Sequence, residues 1–266
     1  MRASLDALKS LTKAADAAVE GRLRQSEEVD NVLKRPDVLS KVLRIYREEG
    51  QRIDFDLNDV KLEAYGSDTT SIALTGIQYH ILRDDSVLDV LRREIDRATN
   101  DGELSLPRVS YDEAVKLPYL GACVKEAMRI HPSVGLTLPR NVPEHGCESA
   151  GHWILGKTRI GVNPAVMHLD RTVFGGDALS YRPERWLGCS ADEMSRYIIQ
   201  FGAGSRTCMG KHVSLCEIYK VIPELIRLYD IELDLENEEI ETTAYWLYKL
   251  VKVKIKVRRR KKGETE

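Results

Sequence analysis

The chain has 266 residues, of which 42% are hydrophobic and 31% charged, and a formal net charge of −2. That balance describes a soluble globular chain, long enough for one large domain or two small ones, and it excludes a general electrostatic case for nucleic-acid binding. The five cysteines (Cys123, Cys147, Cys189, Cys208 and Cys216) are odd in number and irregularly spaced, which argues against a disulfide framework and for a reducing, intracellular compartment. No apolar run approaches the roughly 18 to 20 residues that span a bilayer. The first 25 residues lack the apolar centre of a signal peptide, so no membrane anchor is expected within the chain.

Taken in chain order, Leu5, Leu8, Leu11, Ala15, Ala18, Val19 and Leu23 recur at helical steps. In "RPDVLSKVLRIYREEG", Pro36 opens a second helix and Gly50 closes it. One long helix with a polar knot at its middle is expected over 56–83. "SVLDVLRREIDRAT" is another, stopped by "NDG", and a further helix over 117–131 ends at Pro132. From 133 to 186 short apolar runs stand among Pro and Gly, predicting a β-rich, meander-like segment with a hairpin around Gly156. Helical spacing returns in "GKHVSLCEIYKVIPELIRLYD", where Pro223 predicts a kink. "LVKVKIKV" alternates Val251, Val253, Ile255 and Val257 with lysines, which predicts a C-terminal strand over 245–258 with one face in water. The fold class is mainly α with a small β region.

The stretch richest in chemistry is "FGAGSRTCMG", residues 201–210. Cys208 precedes a helix, whose unpaired N–H groups and dipole favour thiolate over thiol. Gly202, Gly204 and Gly210 let the backbone turn and approach a flat ligand. Arg206 suits a carboxylate, and Phe201 can shield the sulfur. A buried structural cysteine in a glycine-rich turn is the competing reading. Zinc held by Cys208, His212 and Cys216 fails on distance, because eight helical residues span about 12 Å.

The pattern met by Phe201, Gly204, Arg206, Cys208 and Gly210 resembles the haem-binding signature of the cytochrome P450 superfamily, the haem-thiolate monooxygenases. "EAMR" (Glu126, Arg129) and "RPERW" (Arg185) resemble that family's Glu-x-x-Arg and PERF motifs in the right order, which implies a buried structural triad behind the cysteine loop. "YGSDTTS" alone also reads as a helix start with Ser67 or Asp68 as N-cap. The resemblance implies instead a continuous oxygen-binding helix in which Asp68 and Thr69 relay protons. Tyr65 departs from the small residue the family places there. "LTLPRNVP" implies an Arg140–propionate pair, with Val134, Gly135, Leu136 and Thr137 lining a substrate cavity. His168, in "VMHLD", falls in a recurrent family segment and is assigned no haem role. The style of "GVNPAVMHLD" and the residues after it resembles fungal microsomal members.

The resemblance covers the C-terminal half of the family's domain. By that resemblance residues 1–55 are expected to supply helices before the central helix and 201–229 the haem-thiolate loop and its helix, with an N-terminal half expected to be missing. Apolar positions Ile72, Leu74, Ile77, Ile81 and Val221 are therefore expected to meet water in part. The implied cofactor is haem b, with Cys208 as axial iron ligand and Arg206, Arg140, Phe201, Gly202 and Gly210 around it. The implied partners are a reductase delivering electrons from NADPH and an apolar small molecule, and the family usually sits at the endoplasmic-reticulum membrane. Lys211 and Lys220 are either reductase contacts or a solvated helix face. A non-catalytic fragment with weak or no haem binding is the alternative function. The basic run "KVKIKVRRRKK" reads either as a solvated edge strand with a frayed tail or as a membrane-surface module.

Overall fold

Helical spacing in the sequence becomes helix over much of the chain. The computed structural model describes residues 38–53, 57–234, 241–244 and 246–260, together with Ala17, Val19, Glu20, Gly21 and Arg24. The apolar positions Leu5, Leu8, Leu11, Ala15, Ala18 and Leu23 lie outside the described residues. Two packing units divide the chain, residues 1–71 and residues 72–266. Among the described residues five helices exceed ten residues: α1 (Val38–Ile53), α2 (Leu57–Leu82), α3 (Asp85–Asn100), α4 (Pro118–Ile130) and α5 (Lys211–Leu228).

In the first unit, α1 precedes the opening turns of α2, and Val19 and Leu43 are buried. The polar knot at 65–71 lies inside α2, so neither Ser67 nor Asp68 begins a helix. Three hydroxyls in the knot bond back to carbonyls of the preceding turn, which leaves the helix hydrogen-bond ladder in place. Thr69 Oγ1 and Thr70 Oγ1 each donate to the Gly66 carbonyl at 3.0 Å, and Ser71 Oγ donates to the Asp68 carbonyl at 2.8 Å.

The core of the second unit is built from four helical stripes at three- and four-residue steps. Ala73, Ile77 and Ile81 of α2 meet Val87, Leu91, Ile95 and Ala98 of α3, Leu120, Val124 and Ala127 of α4, and Ile218, Ile222 and Ile226 of α5. Each large apolar side chain so buried stabilises the fold by about 1.5–3 kcal/mol. This corrects, for the three isoleucines, the expectation that the face meets water in part. Ile72, Ile77 and Ile81 are buried and Leu74 is half-buried, because α3, α4 and α5 of the same chain close over that stripe; Val221 alone of the five remains exposed. Pro223 sits within α5, which runs on to Leu228.

Among the described residues there are also four two-stranded antiparallel sheets. The strands are β1 (Leu138–Asn141), β2 (Cys147–Ser149), β3 (His152–Ile154), β4 (Arg159–Val162), β5 (Tyr229–Leu233), β6 (Glu241–Ala244), β7 (Tyr248–Val251) and β8 (Ile255–Arg259). β1 pairs with β4, β2 with β3, β5 with β8 and β6 with β7. The hairpin expected around Gly156 therefore turns elsewhere. β2 and β3 turn at Ala150 and Gly151, both at positive φ, and Gly156 lies in the link to β4. Gly156 is needed for close approach, since a Cβ there would overlap the backbone of Glu144.

The single strand expected over 245–258 is also corrected. At Lys252 the backbone turns to a φ of +65°, ending β7 and freeing the chain to start β8 against a different partner. Acidic side chains of the same chain meet four cations of this region: Lys252 with Glu241, Lys256 with Asp234, Arg258 with Glu232 and Arg260 with Asp96. These pairings weigh against the membrane-surface reading of the basic run. Among the described residues, no helix is long and apolar enough to cross a membrane.

Candidate functional site

The loop of residues 201–210 connects a turn to the start of α5. Gly202 and Gly204 adopt φ of +73° and +64°, a region that side chains with a Cβ rarely enter. At Gly202 a Cβ would also stand 3.1 Å from the Arg206 carbonyl oxygen. These bends close the loop on itself: the Cys208 amide donates to the Phe201 carbonyl at 2.7 Å, and Thr207 Oγ1 donates to the Gly204 carbonyl at 2.8 Å. Cys208 is exposed two residues ahead of Gly210, which caps the first turn of α5. Gly210 lies so close that a Cβ there would stand 3.9 Å from the Cys208 sulfur.

Cationic groups flank the loop. Arg206 is exposed within it, and Arg140, exposed on β1, donates from Nη2 to the Ala203 carbonyl at 3.4 Å. Lys211 Nζ lies 5.8 Å from the centre of the Phe201 ring, a cation–π contact that ties the helix start to the loop start. Met209 and Val213 add exposed apolar surface beside the sulfur.

A buried charge network joins α4 to the segment that precedes the loop. Both oxygens of Glu126 accept from Arg129, through Nε and Nη2, each at 2.8 Å. Arg185 Nε, the Trp186 indole N–H and the Arg182 amide donate to the same carboxylate. The spare donors of Arg129 reach the carbonyls of His168, Ala178 and Ser180. Arg185 donates to the Phe174 and Asp177 carbonyls and to the Asp177 carboxylate. Those contacts hold the Asp177 carboxyl below the usual carboxylate range. Every long-range partner here lies in the segment between α4 and the cysteine loop, so the network fastens that segment to α4.

The remaining residues singled out in the sequence fall as follows. Asp68 and Thr69 lie on α2 in the first unit, and for Tyr65 only the helical backbone is described. Val134 bridges to Leu247, Gly135 packs against the Tyr248 ring, Leu136 is half-buried and Thr137 is exposed. Cys208, His212 and Cys216 form no metal-binding group, and none is found among the described residues. Sequence reasoning missed three participants: His168, Trp186 and Glu94. Glu94 caps α4 by accepting the Tyr119 and Leu120 amides, each at 2.8 Å. "VMHLD" and "RPERW" contained His168 and Trp186 without assigning either a role, and nothing in the sequence pointed to Glu94.

Geometry alone describes a mainly α protein that presents an exposed thiol from a glycine-bent loop ahead of a long helix, with one exposed arginine in that loop and another bonded to it. The family model for cytochrome P450 matches residues 12–257. The chain is 40% identical over 263 residues to the cytochrome P450 monooxygenase gsfF of Penicillium aethiopicum, covering 96% of this chain and 52% of that protein. It is 38% identical over 219 residues to the cytochrome P450 monooxygenase ACRTS1 of Alternaria alternata, covering 79% of this chain and 57% of that protein. A crystal structure of a cytochrome P450 superposes with a TM-score of 0.69 at 20% identity, covering 97% of this chain and 58% of the other. The chain belongs to the cytochrome P450 family. It spans about half the length of the curated relatives it matches.

Haem is the cofactor general to this family, and the residues present fit it. An exposed soft sulfur stands on a loop whose amide is already engaged, glycines keep the adjacent backbone free of side chains, and two exposed guanidinium groups suit carboxylates.

Proposed function

We propose that this chain is the haem-thiolate portion of a monooxygenase that inserts one oxygen atom of O2 into an apolar organic molecule, using electrons from NADPH passed through a reductase. The relatives named as cytochrome P450 monooxygenases support the reaction class. The observation that carries the reading is the exposed Cys208, its amide held by the Phe201 carbonyl at 2.7 Å in a loop bent by two positive-φ glycines.

A haem bound at this loop supplies the iron at which dioxygen is activated. Cys208 would hold that iron through its sulfur, and the positive end of α5 favours the thiolate that binding requires. Arg140 and Arg206 would hold the two propionates, and Phe201, Gly202 and Gly210 would border the ring. Glu126, Arg129 and Arg185 act from behind, as structural support. Asp68 is the carboxylate assigned to proton delivery, with the Thr69 hydroxyl as relay. That hydroxyl now donates to the Gly66 carbonyl, so it must turn away from its own helix to pass a proton on. Tyr65, Val134, Leu136 and Thr137 are the assigned lining of the substrate cavity. Lys211 and Lys220 remain the candidate contacts for an acidic reductase surface.

The chain matches about half the length of the relatives, which supports a second reading: a fragment that binds haem weakly and does not turn over. The exposure of Cys208, Arg140 and Arg206 together favours it, since no described wall encloses them. One experiment separates the two. After expression with a haem supply, the reduced, carbon-monoxide-bound absorption spectrum is recorded for the native chain and for Cys208→Ala. A strongly red-shifted thiolate band, lost in the variant, supports the haem-thiolate reading; no haem band in either chain sinks it.

A further inference from the structure

His168 is fully buried and sits between Arg129 of the charge network and Ile199, two residues before the cysteine loop begins. Its Nδ1 lies 3.1 Å from the Arg129 carbonyl oxygen, and its Nε2 accepts the Ile199 amide at 2.9 Å. A backbone N–H can only donate, so Nε2 must carry the lone pair. Nδ1 must then carry the proton and donate it to Arg129. One tautomer satisfies both bonds, and it is neutral. Arg129 returns the contact, donating from Nη1 to the His168 carbonyl at 2.6 Å.

The far side of the ring leads into the cysteine loop. The Ile199 carbonyl accepts the Gly202 amide at 2.8 Å, and Gly202 is the first positive-φ position of the loop. Phe201, between them, holds the Cys208 amide. Residue by residue, the path runs from the buried Arg129 through the imidazole to Ile199, and from Ile199 across one turn to the residues that fix Cys208.

We infer that His168 is a positioning residue, which transmits the rigidity of the Glu126–Arg129 pair to the Cys208 loop through its Nδ1–H tautomer. The inference rests on the reading of Cys208 as the haem ligand for its significance, though not for its geometry. A merely space-filling histidine would leave the loop unchanged when replaced by a ring of similar size.

The test begins on the native chain without added haem. Nitrogen chemical shifts of the His168 ring report which nitrogen carries the proton, and an Nε2–H tautomer overturns the inference. Amide hydrogen exchange is then compared in H168F, which removes both bonds, in H168Q, whose carbonyl oxygen can reach the Ile199 amide, and in H168N, whose shorter side chain cannot. The expected result is a tenfold or greater rise in exchange at Ile199 and Cys208 in H168F and H168N. Core amides such as Ile222 should keep their native rates, and H168Q should stay close to native. Unchanged Cys208 exchange in H168N, or an equal rise at Ile222, overturns the inference. Should H168F fail to fold, the Gln and Asn pair carries the comparison alone.

A second readout separates this inference from the functional proposal. With haem supplied, H168N should convert part of a thiolate-type band to one typical of a neutral ligand. If the exchange results hold while no chain binds haem, the proposed function falls and the positioning role stands. If haem binds and the thiolate fraction and the exchange rates are equal in all chains, the positioning role falls and the function stands.

Discussion

Glu126 and Arg129, one helical turn apart on α4, face each other with both side chains fully buried and join through two parallel bonds of 2.8 Å. The carboxylate also accepts from Arg185, Trp186 and the Arg182 amide, so five donors converge on two oxygens. Replacing Glu126 by Gln leaves two guanidinium groups buried with too few acceptors. Breaking a buried pair from one side typically costs about 3–5 kcal/mol. We expect a loss of that order in urea unfolding of Glu126→Gln, and a loss under 1 kcal/mol would mean the network contributes little to the fold.

Glu94 stabilises the other end of the same helix. The N-cap position of α4 is Leu117, which offers no side-chain acceptor, and the two carboxylate oxygens of Glu94 take the first amides instead. Loss of a good N-cap acceptor costs about 1–2 kcal/mol. Glu94→Ala should lower stability by that amount in thermal unfolding. Glu94→Gln, which keeps one acceptor oxygen, should fall between the two; equal stability of all three chains would contradict the capping role.

Acid should weaken the fold in a window that belongs to histidine. Burial lowers His168 to about 4 and His80 to about 3, and lowers His131 as well, all from an ordinary value of 6.5. Between pH 6.5 and about 4 the unfolded chain therefore binds protons that the folded chain refuses. Stability rises with pH where the unfolded state binds more protons, so it must fall as pH falls through this window. The carboxylates held low, such as Asp177 and Asp84, add their own losses only below about pH 4, near the ordinary carboxylate range. Chemical denaturation at pH 7.5 and at pH 5 should differ by on the order of 4 kcal/mol, about 2 from each of His168 and His80. H168Q should show a smaller difference, and no pH dependence between these values in the native chain would contradict the neutral, buried state of the histidines.

Two glycine substitutions separate close approach from mere flexibility. Gly156→Ala drives a methyl into the Glu144 backbone and should cost about 1–3 kcal/mol. Gly176→Ala meets no atom within 4 Å and has no positive φ, so it should stay within about 0.5 kcal/mol of native. Parallel unfolding curves for the two variants would remove the packing explanation for Gly156.

Much of this protein was legible from its order of residues. Three- and four-residue apolar steps marked the helices, because a helix buries one stripe and the period of that stripe is local. The cysteine loop was legible for a related reason: sharp turning needs glycine, and a soft ligand needs cysteine, within ten residues. The positions of Glu126, Arg129 and Arg185 were readable as a set through their resemblance to a family, though not from their charges alone.

What the tertiary structure decided is which distant groups meet. Ile77 and Ile81 carried an apolar pattern that predicts a partner without naming it, and α3, α4 and α5 supplied one. Lys252 broke an alternation that looked continuous, because strand pairing and a positive φ outweigh a period of two. His168 meets Arg129 across 39 residues and Ile199 across 31, and Glu94 meets Tyr119 across 25. Such pairs have no local signature, since a hydrogen bond acts over about 3 Å of space and is indifferent to separation along the chain. The sequence by itself determined the long helices and the residue types of the loop; only folding chose the strand pairings and the buried partners of Glu126, Arg129 and His168.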